Sequence, residues 1–318
     1  MAEVVPDDIL EKIFLRLEVK DIIQCKSVCK SWFSVISSSG FINSHLKHNY
    51  NNTTQRTRIS IGDDGYNNLV GSSNGLVCIF NSGPKLCVLN PCTRERKIVR
   101  HPYLSSHHRD PKPDLYGFGY DSSSGDYKVI IGKVRKKFGL LSLKSNDQRI
   151  VDYGGKLECA FDRGCAGILC NGALHWLMRD QNYNTVILSF HLSTEEFEEI
   201  PTPTDNACKV TYRTELGIIE ECLCLFHESK CYPVWVLKNY NDKQSWEETD
   251  EKIIQDVKVL EIKSYRRATT FLRYNIHLSE NPEYISAPEF VQSLVSPHCH
   301  FNKIQKRKWR TTFMHGGY

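Results

Sequence analysis

The sequence predicts an α+β chain of two domains: a three-helix N-terminal module, then an all-β, β-propeller-like domain of five or six blades. Three observations carry this reading. Helical periodicity fills residues 5–46 and mostly stops after Leu46. From about residue 60 onward, short apolar runs bounded by Asn-Gly and Ser-Gly turns replace it. Those runs recur at an interval of about 48 residues, the spacing of propeller blades built from several strands each, with an irregular β-sandwich of coincidental spacing as the alternative.

In the N-terminal part, Pro6 followed by Asp7 and Asp8 marks a helix start, and Glu11, three residues after Asp8, gives a capping-box spacing. Ile9, Ile13, Phe14 and Leu17 recur at helical spacing, with Leu10 widening the stripe. A second helix is expected over 21–26. A third, over 28–36, carries Cys29, Trp32, Phe33 and Ile36. A unit of this size rarely buries a self-sufficient core. Its surplus apolar surface therefore either docks on a partner protein or caps the larger domain. Residues 1–47 form this module, and the polar segment 48–59 reads as a linker.

The β domain is assigned to residues 60–300. Gly71–Phe80, Leu86–Asn90 and Arg96–Val99 form one strand–turn–strand unit, and matching units begin at Gly167 and Gly217. The interval from 167 to 217 is 50 residues and that from 71 to 167 is 96, nearly twice as long, so a further copy belongs near 118. Tyr116–Asp121, Tyr127–Ile131 and Gly139–Leu143 supply it in degenerate form. Asn74-Gly75, Asn171-Gly172 and Ser124-Gly125-Asp126 provide the positive φ that tight hairpins need. Of the five or six blades, the last is expected to be incomplete.

Composition narrows the function. The chain has 318 residues, 40% apolar and 25% charged, which is ordinary for a globular protein. A net charge of +4, spread along the chain, gives no reason to expect nucleic acid as a partner. No run approaches membrane-spanning length, and the acidic N-terminus is unlike a signal peptide, which points to the cytoplasm or nucleus. The 13 cysteines are then reduced thiols. Cys78, Cys87, Cys170, Cys222 and Cys224 sit in apolar runs, where they act as small buried hydrophobes. Cys25 and Cys29, four apart on helix, stack into the module core.

Candidate chemistry is sparse. His107-His108 with Asp110, and His298-Cys299-His300, lack the spacing that places two ligands on one metal, so no metal site is expected. No nucleophile elbow, phosphate-cradling loop or paired carboxylate occurs, hence no catalytic residue and no cofactor. Gly117-Phe-Gly119 and Gly154-Gly155 are assigned to hairpin turns. Glu195, Glu196, Glu198 and Glu199 read as a solvated turn, with a patch for a basic substrate as the alternative. Lys303, Lys306, Arg307, Lys308 and Arg310, with Trp309 among them, make residues 301–318 a solvated basic tail, the alternatives being a nuclear signal or a weak nucleic-acid contact.

The wording of two segments carries a resemblance. Val5-Pro6, the DDILEKIFLRL run, the Val19-Lys20 break and VCKSWFSVI resemble the F-box of plant F-box proteins, with Val5 where the family usually has leucine. LVGSSNGLVCI, LNPCTRERKI, YGFGYDSSSGDYKV, NGALHWLM, ILSFHLSTEEFEEI and YISAPEFVQSLVSP are similar to the kelch-related F-box-associated domain that binds substrates. The resemblance implies a non-catalytic substrate-recognition subunit of an SCF-type ubiquitin ligase. It would bind a Skp-type adaptor, through it the cullin and RING subunits, and an unidentified target protein. Pro6, Leu10, Ile13, Leu17, Cys29 and Trp32 match the family's adaptor-facing or core-forming set. A binding or scaffold protein using the F-box-like segment outside a ligase is the alternative; a propeller enzyme is a third reading without a catalytic constellation to support it.

Overall fold

A computed structural model of the chain describes residues 6–52, 57–61, 69–81, 85–101, 113–133, 137–159, 165–182, 184–203, 214–227, 233–249, 257–264, 272–279 and 289–298. Four helices come first: α1 (Asp7–Phe14), α2 (Val19–Cys25), α3 (Lys30–Ser37) and α4 (Ser39–Asn52). The expectation was three. The segment read as a linker is helical through Asn52 and becomes strand at Thr57. Its apolar positions, Phe41, Ile42 and Leu46, are too few to give a clear stripe, and the buried residue between them is His45. The capping box is not formed either. Pro6 is the N-cap of α1, its carbonyl accepting from the Ile9 and Leu10 amides at 3.1 Å each, with no side-chain cap.

The first strand, β1 (Thr57–Ile61), belongs to the last sheet. Between them, four sheets are laid down in chain order. The first is β2 (Leu69–Ser73), β3 (Leu76–Asn81), β4 (Lys85–Leu89) and β5 (Arg96–Arg100). The second is β6 (Leu115–Asp121), β7 (Asp126–Gly132), β8 (Lys137–Ser142) and β9 (Gln148–Asp152). Two short strands follow, β10 (Glu158–Cys159) and β11 (Cys165–Ala166). The third sheet is β12 (Ile168–Cys170), β13 (Ala173–Arg179), β14 (Thr185–His191) and β15 (Phe197–Pro201), with β10 on the free end of β13. The fourth is β16 (Thr214–Ile219), β17 (Cys222–His227), β18 (Val234–Leu237) and β19 (Trp246–Thr249). Each is an antiparallel meander; β11 adds to β6 in parallel.

The fifth sheet joins distant parts of the chain. β20 (Val257–Ser264), β21 (Leu272–Ser279) and β22 (Glu289–Phe290) combine with β1 in the order β21-β20-β1-β22. β1 runs parallel to β20, from Thr57 opposite Lys258 to Ile61 opposite Ile262, and antiparallel to β22. The expected gap in the last blade is therefore filled, because its missing strand comes from upstream of the first blade. That strand lies where the polar linker was expected to merge into the β domain.

Burial shows the sheets stacked around a common axis. Inner strands meet across neighbouring sheets: β2 lies against β6 and β22, and β12 against β6 and β16. Outer strands alternate toward solvent, as in the Arg96, Ile98 and Arg100 positions of β5. Middle strands are apolar on both faces, as a sheet covered on both sides requires. In β3, Leu76 and Cys78 enter the core shared with Phe118 and Val129 of the second sheet, while Val77 and Ile79 enter the core shared with Ile59 and Phe290 of the fifth. In β13, Leu174, Trp176 and Met178 face the second sheet and Leu177 faces the fourth.

Glycines permit the close approach. Gly117 and Gly119 are not in turns, as was expected, but in mid-strand on β6. A Cβ there would lie 2.7 Å from Leu174 and 2.6 Å from Leu192 of the third sheet. The true turns are Asn74-Gly75 (φ 51° and 76°) and Asn171-Gly172 (φ 48° and 73°), both mirror-image hairpin turns. The equivalent turn after β16 is Glu220-Glu221, at φ 48° and 66°.

Candidate functional site

The helical module has two apolar faces with different surroundings. Leu10, Phe14, Val19, Ile22, Ile36 and Phe41 form its core, with the Trp32 ring edge-on to Phe14 at 5.0 Å. On the other side, Ile9, Ile13, Val28 and Phe33 are 42%, 49%, 62% and 55% exposed. Of the six residues singled out in the sequence, Pro6, Ile13 and Cys29 lie on the surface, Leu10 is in the core, and Leu17 and Trp32 are half-buried against it. Cys29 does not stack on Cys25. It caps α3, its sulfur accepting from the Trp32 amide at 3.5 Å, while Cys25 ends α2. Ile9 and Phe33, named as apolar helix positions, and Val28 were not among those six. The pattern held the signal for Ile9: Leu10, Phe14 and Leu17 follow i, i+4, i+7, and Ile9 with Ile13 forms a second stripe beside it.

The core face is closed by a residue from the far end of the chain. Leu294 completes the module core, and Ile42 of α4 bridges from it to the core between the first two sheets. Polar groups fix this joint. His45 is fully buried and donates from Nε2 to the Leu17 carbonyl at 3.2 Å. The Asn49 amide lies 3.4 Å from His45 Nδ1 and donates to the Gln292 carbonyl at 2.9 Å. Asn90, also fully buried, donates to the carbonyls of Ser293 and Val295 at 2.9 and 2.8 Å. Burial holds the His45 pKa below its ordinary value, which suits the neutral ring these bonds require.

The acidic run is only partly a solvated turn: Glu196 is exposed, but its neighbours make cross-sheet contacts. Glu195 pairs with the buried Lys128 at 2.8 Å and with Arg149, both from the second sheet. Glu198 meets His191 at 3.1 Å and Lys243 at 3.2 Å, and Glu199 accepts from the Tyr153 hydroxyl. Glu195, Glu198 and Glu199 thus tie neighbouring sheets together, while Glu196 is exposed. Lys128 also holds Asp121 at 2.8 Å. Burial alone would raise the Asp121 pKa, but hydrogen bonds from Lys128, Ser123 and Ser124 outweigh it and keep the carboxyl well below the usual range. His175, fully buried, donates from Nδ1 to the Ile168 carbonyl at 3.1 Å and accepts from the Tyr240 hydroxyl at 2.7 Å; burial lowers its pKa to about 4.

At the axis, a cavity of about 380 Å³ opens where the inner strands end. Ser72 of β2, Tyr120 of β6, Ile168 of β12, Ile218 of β16 and Phe290 of β22 line it, so all five sheets contribute, and Tyr50 of α4 stands at its edge. The Tyr50 hydroxyl donates to Asn74 Oδ1 at 3.3 Å.

Among the described residues, no three His, Cys, Asp or Glu side chains are grouped to hold a metal, and no helix is long and apolar enough to cross a membrane. Among the described residues, nine cysteines are free thiols; Cys78, Cys87, Cys170 and Cys224 are buried, whereas Cys222 is only half-buried. His298 meets the Arg96 carbonyl at 2.9 Å. His107, His108, Asp110, Cys299, His300 and the basic tail lie outside the described residues.

A propeller of five sheets carrying a helical module with one apolar face uncovered is the class this fold defines. Residues 5–44 match the F-box domain and residues 29–277 the F-box associated beta propeller domain. The chain belongs to the F-box proteins that carry this propeller domain. It is 30% identical to the F-box protein CPR1 of Arabidopsis thaliana, over 84% of this chain and 77% of that one. F-box protein At4g22390 and F-box/kelch-repeat protein At3g23880, from the same organism, are each 28% identical, over 77% and 76% of this chain and 73% and 77% of theirs.

Proposed function

We propose that this chain is the target-binding subunit of a Skp–cullin–F-box ubiquitin ligase. The observation that carries the reading is where the exposed apolar bulk lies. Of seven large apolar side chains exposed among the described residues, five belong to the helical module, and four of these (Ile9, Ile13, Val28 and Phe33) lie within its first three helices and the turn between them. Pro6 and Cys29 are exposed beside them. Such a surface is uncommon on a lone soluble unit and is usual at an interface. Here it would seat a Skp-type adaptor, with Leu10, Leu17 and Trp32 supporting it from beneath. The adaptor would bring cullin and RING subunits. The β domain would hold the target, and the receptor itself would catalyse nothing, acting by raising effective concentration. The assembly would work in the cytoplasm or nucleus. The kelch relationship of the β domain is part of the same reading.

Two aspartate substitutions test it on the full chain. Ile13→Asp should abolish co-purification with the adaptor while leaving the unfolding midpoint nearly unchanged, because the side chain is at the surface. Leu10→Asp should lower both, since a charge would enter the core. If Ile13→Asp captured adaptor normally, the docking face would be wrong. Adaptor without cullin and RING in the purified complex would favour the scaffold reading.

A further inference from the structure

The outer strand of the first sheet presents an edge with its own recognition pattern. In the β4–β5 pair, the Asn90 amide donates to the Glu95 carbonyl at 2.9 Å. Antiparallel alternation then turns the main-chain groups of Lys97 and Val99 toward Val88 and Leu86 of β4. Those of Arg96, Ile98 and Arg100 point away from the sheet. The Arg96 carbonyl shows this geometry in use: it accepts from His298 Nε2 at 2.9 Å, a donor from outside the sheet. Outward amides and carbonyls of this kind are a template for a further strand.

The side chains of β5 sort by face. Lys97 donates to the Leu143 carbonyl at 3.1 Å, and Val99 packs on the core between the first two sheets. Arg96, Ile98 and Arg100 share the other face and are exposed, Ile98 to 54%. Lys85 of β4, also exposed, lies directly opposite Arg100, an unfavourable pairing of like charges. Residues 85–100 hold five basic side chains and one acidic. Elsewhere, outer strand β15 carries Glu198, Glu199 and Pro201, and β19 carries Glu247 and Glu248. Charge and proline blunt an edge, and an exposed isoleucine does not. Strand β9 also exposes an isoleucine at an outward position, Ile150, but between Gln148 and Asp152. Basic flanks set β5 apart from β9.

From this we infer that the outer edge of β5 takes an extended acidic segment of another protein as an added antiparallel strand. The main chain of the segment would bond to Ile98, and an aliphatic residue at that point would cover the Ile98 side chain. Carboxylates two positions to either side would meet Arg96 at one end and Arg100 with Lys85 at the other. Charge argues against the chain's own C-terminal segment, whose Lys303, Lys306, Arg307, Lys308 and Arg310 would be repelled. A second copy would have to offer a different edge, such as β9, and head-to-tail pairing of that kind continues into open filaments. That the segment belongs to a target protein rests on the ligase reading; the pairing itself does not.

The experiment is fluorescence anisotropy on the full-length chain with labelled peptides. The probe is Thr-Glu-Thr-Ile-Thr-Glu-Thr, whose two glutamates and isoleucine share one face of a strand. It should bind, and its lysine counterpart, Thr-Lys-Thr-Ile-Thr-Lys-Thr, should not. Thr-Thr-Glu-Ile-Glu-Thr-Thr, which moves the charges to the opposite face, should bind far more weakly. Methylating the isoleucine amide of the probe should abolish binding, because that amide donates to the Ile98 carbonyl. Arg100→Glu should weaken binding at least about tenfold. Ile98→Pro removes the outward N–H and should abolish binding, while Ile150→Pro on β9 should leave it unchanged. Proline is tolerated at an edge position whose N–H faces out, and the urea midpoint checks that both variants fold. Ile98→Thr keeps strand propensity and should weaken binding several-fold, which tests the contact even if proline unfolds the sheet. The inference is overturned if the probe does not bind, if its rearranged or N-methylated form binds as well, or if both substitutions at Ile98 have no effect. It is also overturned if light scattering shows a dimer that Ile98→Pro dissolves, since the edge then holds a second copy. Adaptor capture by Arg100→Glu should equal that of the parent chain, so failure of this edge and failure of the ligase reading are told apart.

Discussion

Strand β13 and helix α1 both bury one apolar face against near neighbours, but their other faces differ. On β13, Trp176 turns toward the second sheet and Leu177 toward the fourth, so each face meets a partner within the domain. On α1, Leu10 and Phe14 meet the module core, while Ile9 and Ile13 are left in solvent. A sheet packed between two neighbours can bury the apolar residues of both its faces internally, as the third does between the second and the fourth. A helical cap has one neighbour. The difference teaches where to look for a partner: an exposed isoleucine on an inner strand would be a packing defect, whereas on the cap it is an unfilled contact.

The comparison breaks most forcefully at Trp176. Its ring is fully buried, backs onto Gly167 and donates to the Tyr116 carbonyl at 3.1 Å. Trp176→Ala should cost about 3–5 kcal/mol, read as a fall in the urea midpoint of the β domain.

Acid should act next. His101 and His175 are buried, and burial lowers each pKa to about 4 from an ordinary 6.5. Below pH 6.5 the unfolded chain takes up protons that the folded one cannot. Stability is therefore full above pH 6.5 and falls as pH drops from 6.5 toward 4, by on the order of 3 kcal/mol per histidine. Urea titrations at pH 7.5 and 4.5 measure it, and His175→Gln should flatten the dependence.

A smaller effect should come from Leu294, which closes the module core from the β domain's side. Leu294→Ala should cost about 2–4 kcal/mol and, unlike Trp176→Ala, should reduce adaptor capture at temperatures where the propeller is still folded. Pull-down across a temperature series separates the two. Equal loss of capture and propeller in both variants would mean that the joint is not a distinct unit.

Much of the β domain was legible because its signals are local. Asn74-Gly75 and Asn171-Gly172 announce hairpins by their φ requirements, and the recurrence of apolar runs follows from repeated sheets. What was not legible depends on residues far apart in sequence. Nothing within residues 57–61 says that they pair with residues near 260. The Glu195–Glu199 run looks solvated until Lys128, Arg149, Tyr153 and Lys243 are brought beside it by the sheets. Gly117 and Gly119 read as turn residues because a sequence does not display the leucines pressed against them. On the module, helical spacing found the apolar residues but not which stripe would be covered, since Leu294 is over 240 positions away.

The β1 strand and Leu294 also impose an order on synthesis. A ribosome releases β1 early, yet its partners β20 and β22 follow about 200 residues later. At roughly 5–20 residues per second, β1 waits for ten seconds or more with both edges unpaired. The F-box waits longer still, because Leu294 comes after the last strand. Adaptor binding would thus report on translation as well as on sequence: a chain stopped short of residue 294 lacks part of its own docking module and should be a poor recruit to a ligase. Nascent chains arrested before and after that point, compared for adaptor capture, would show whether the joint serves as a completion check.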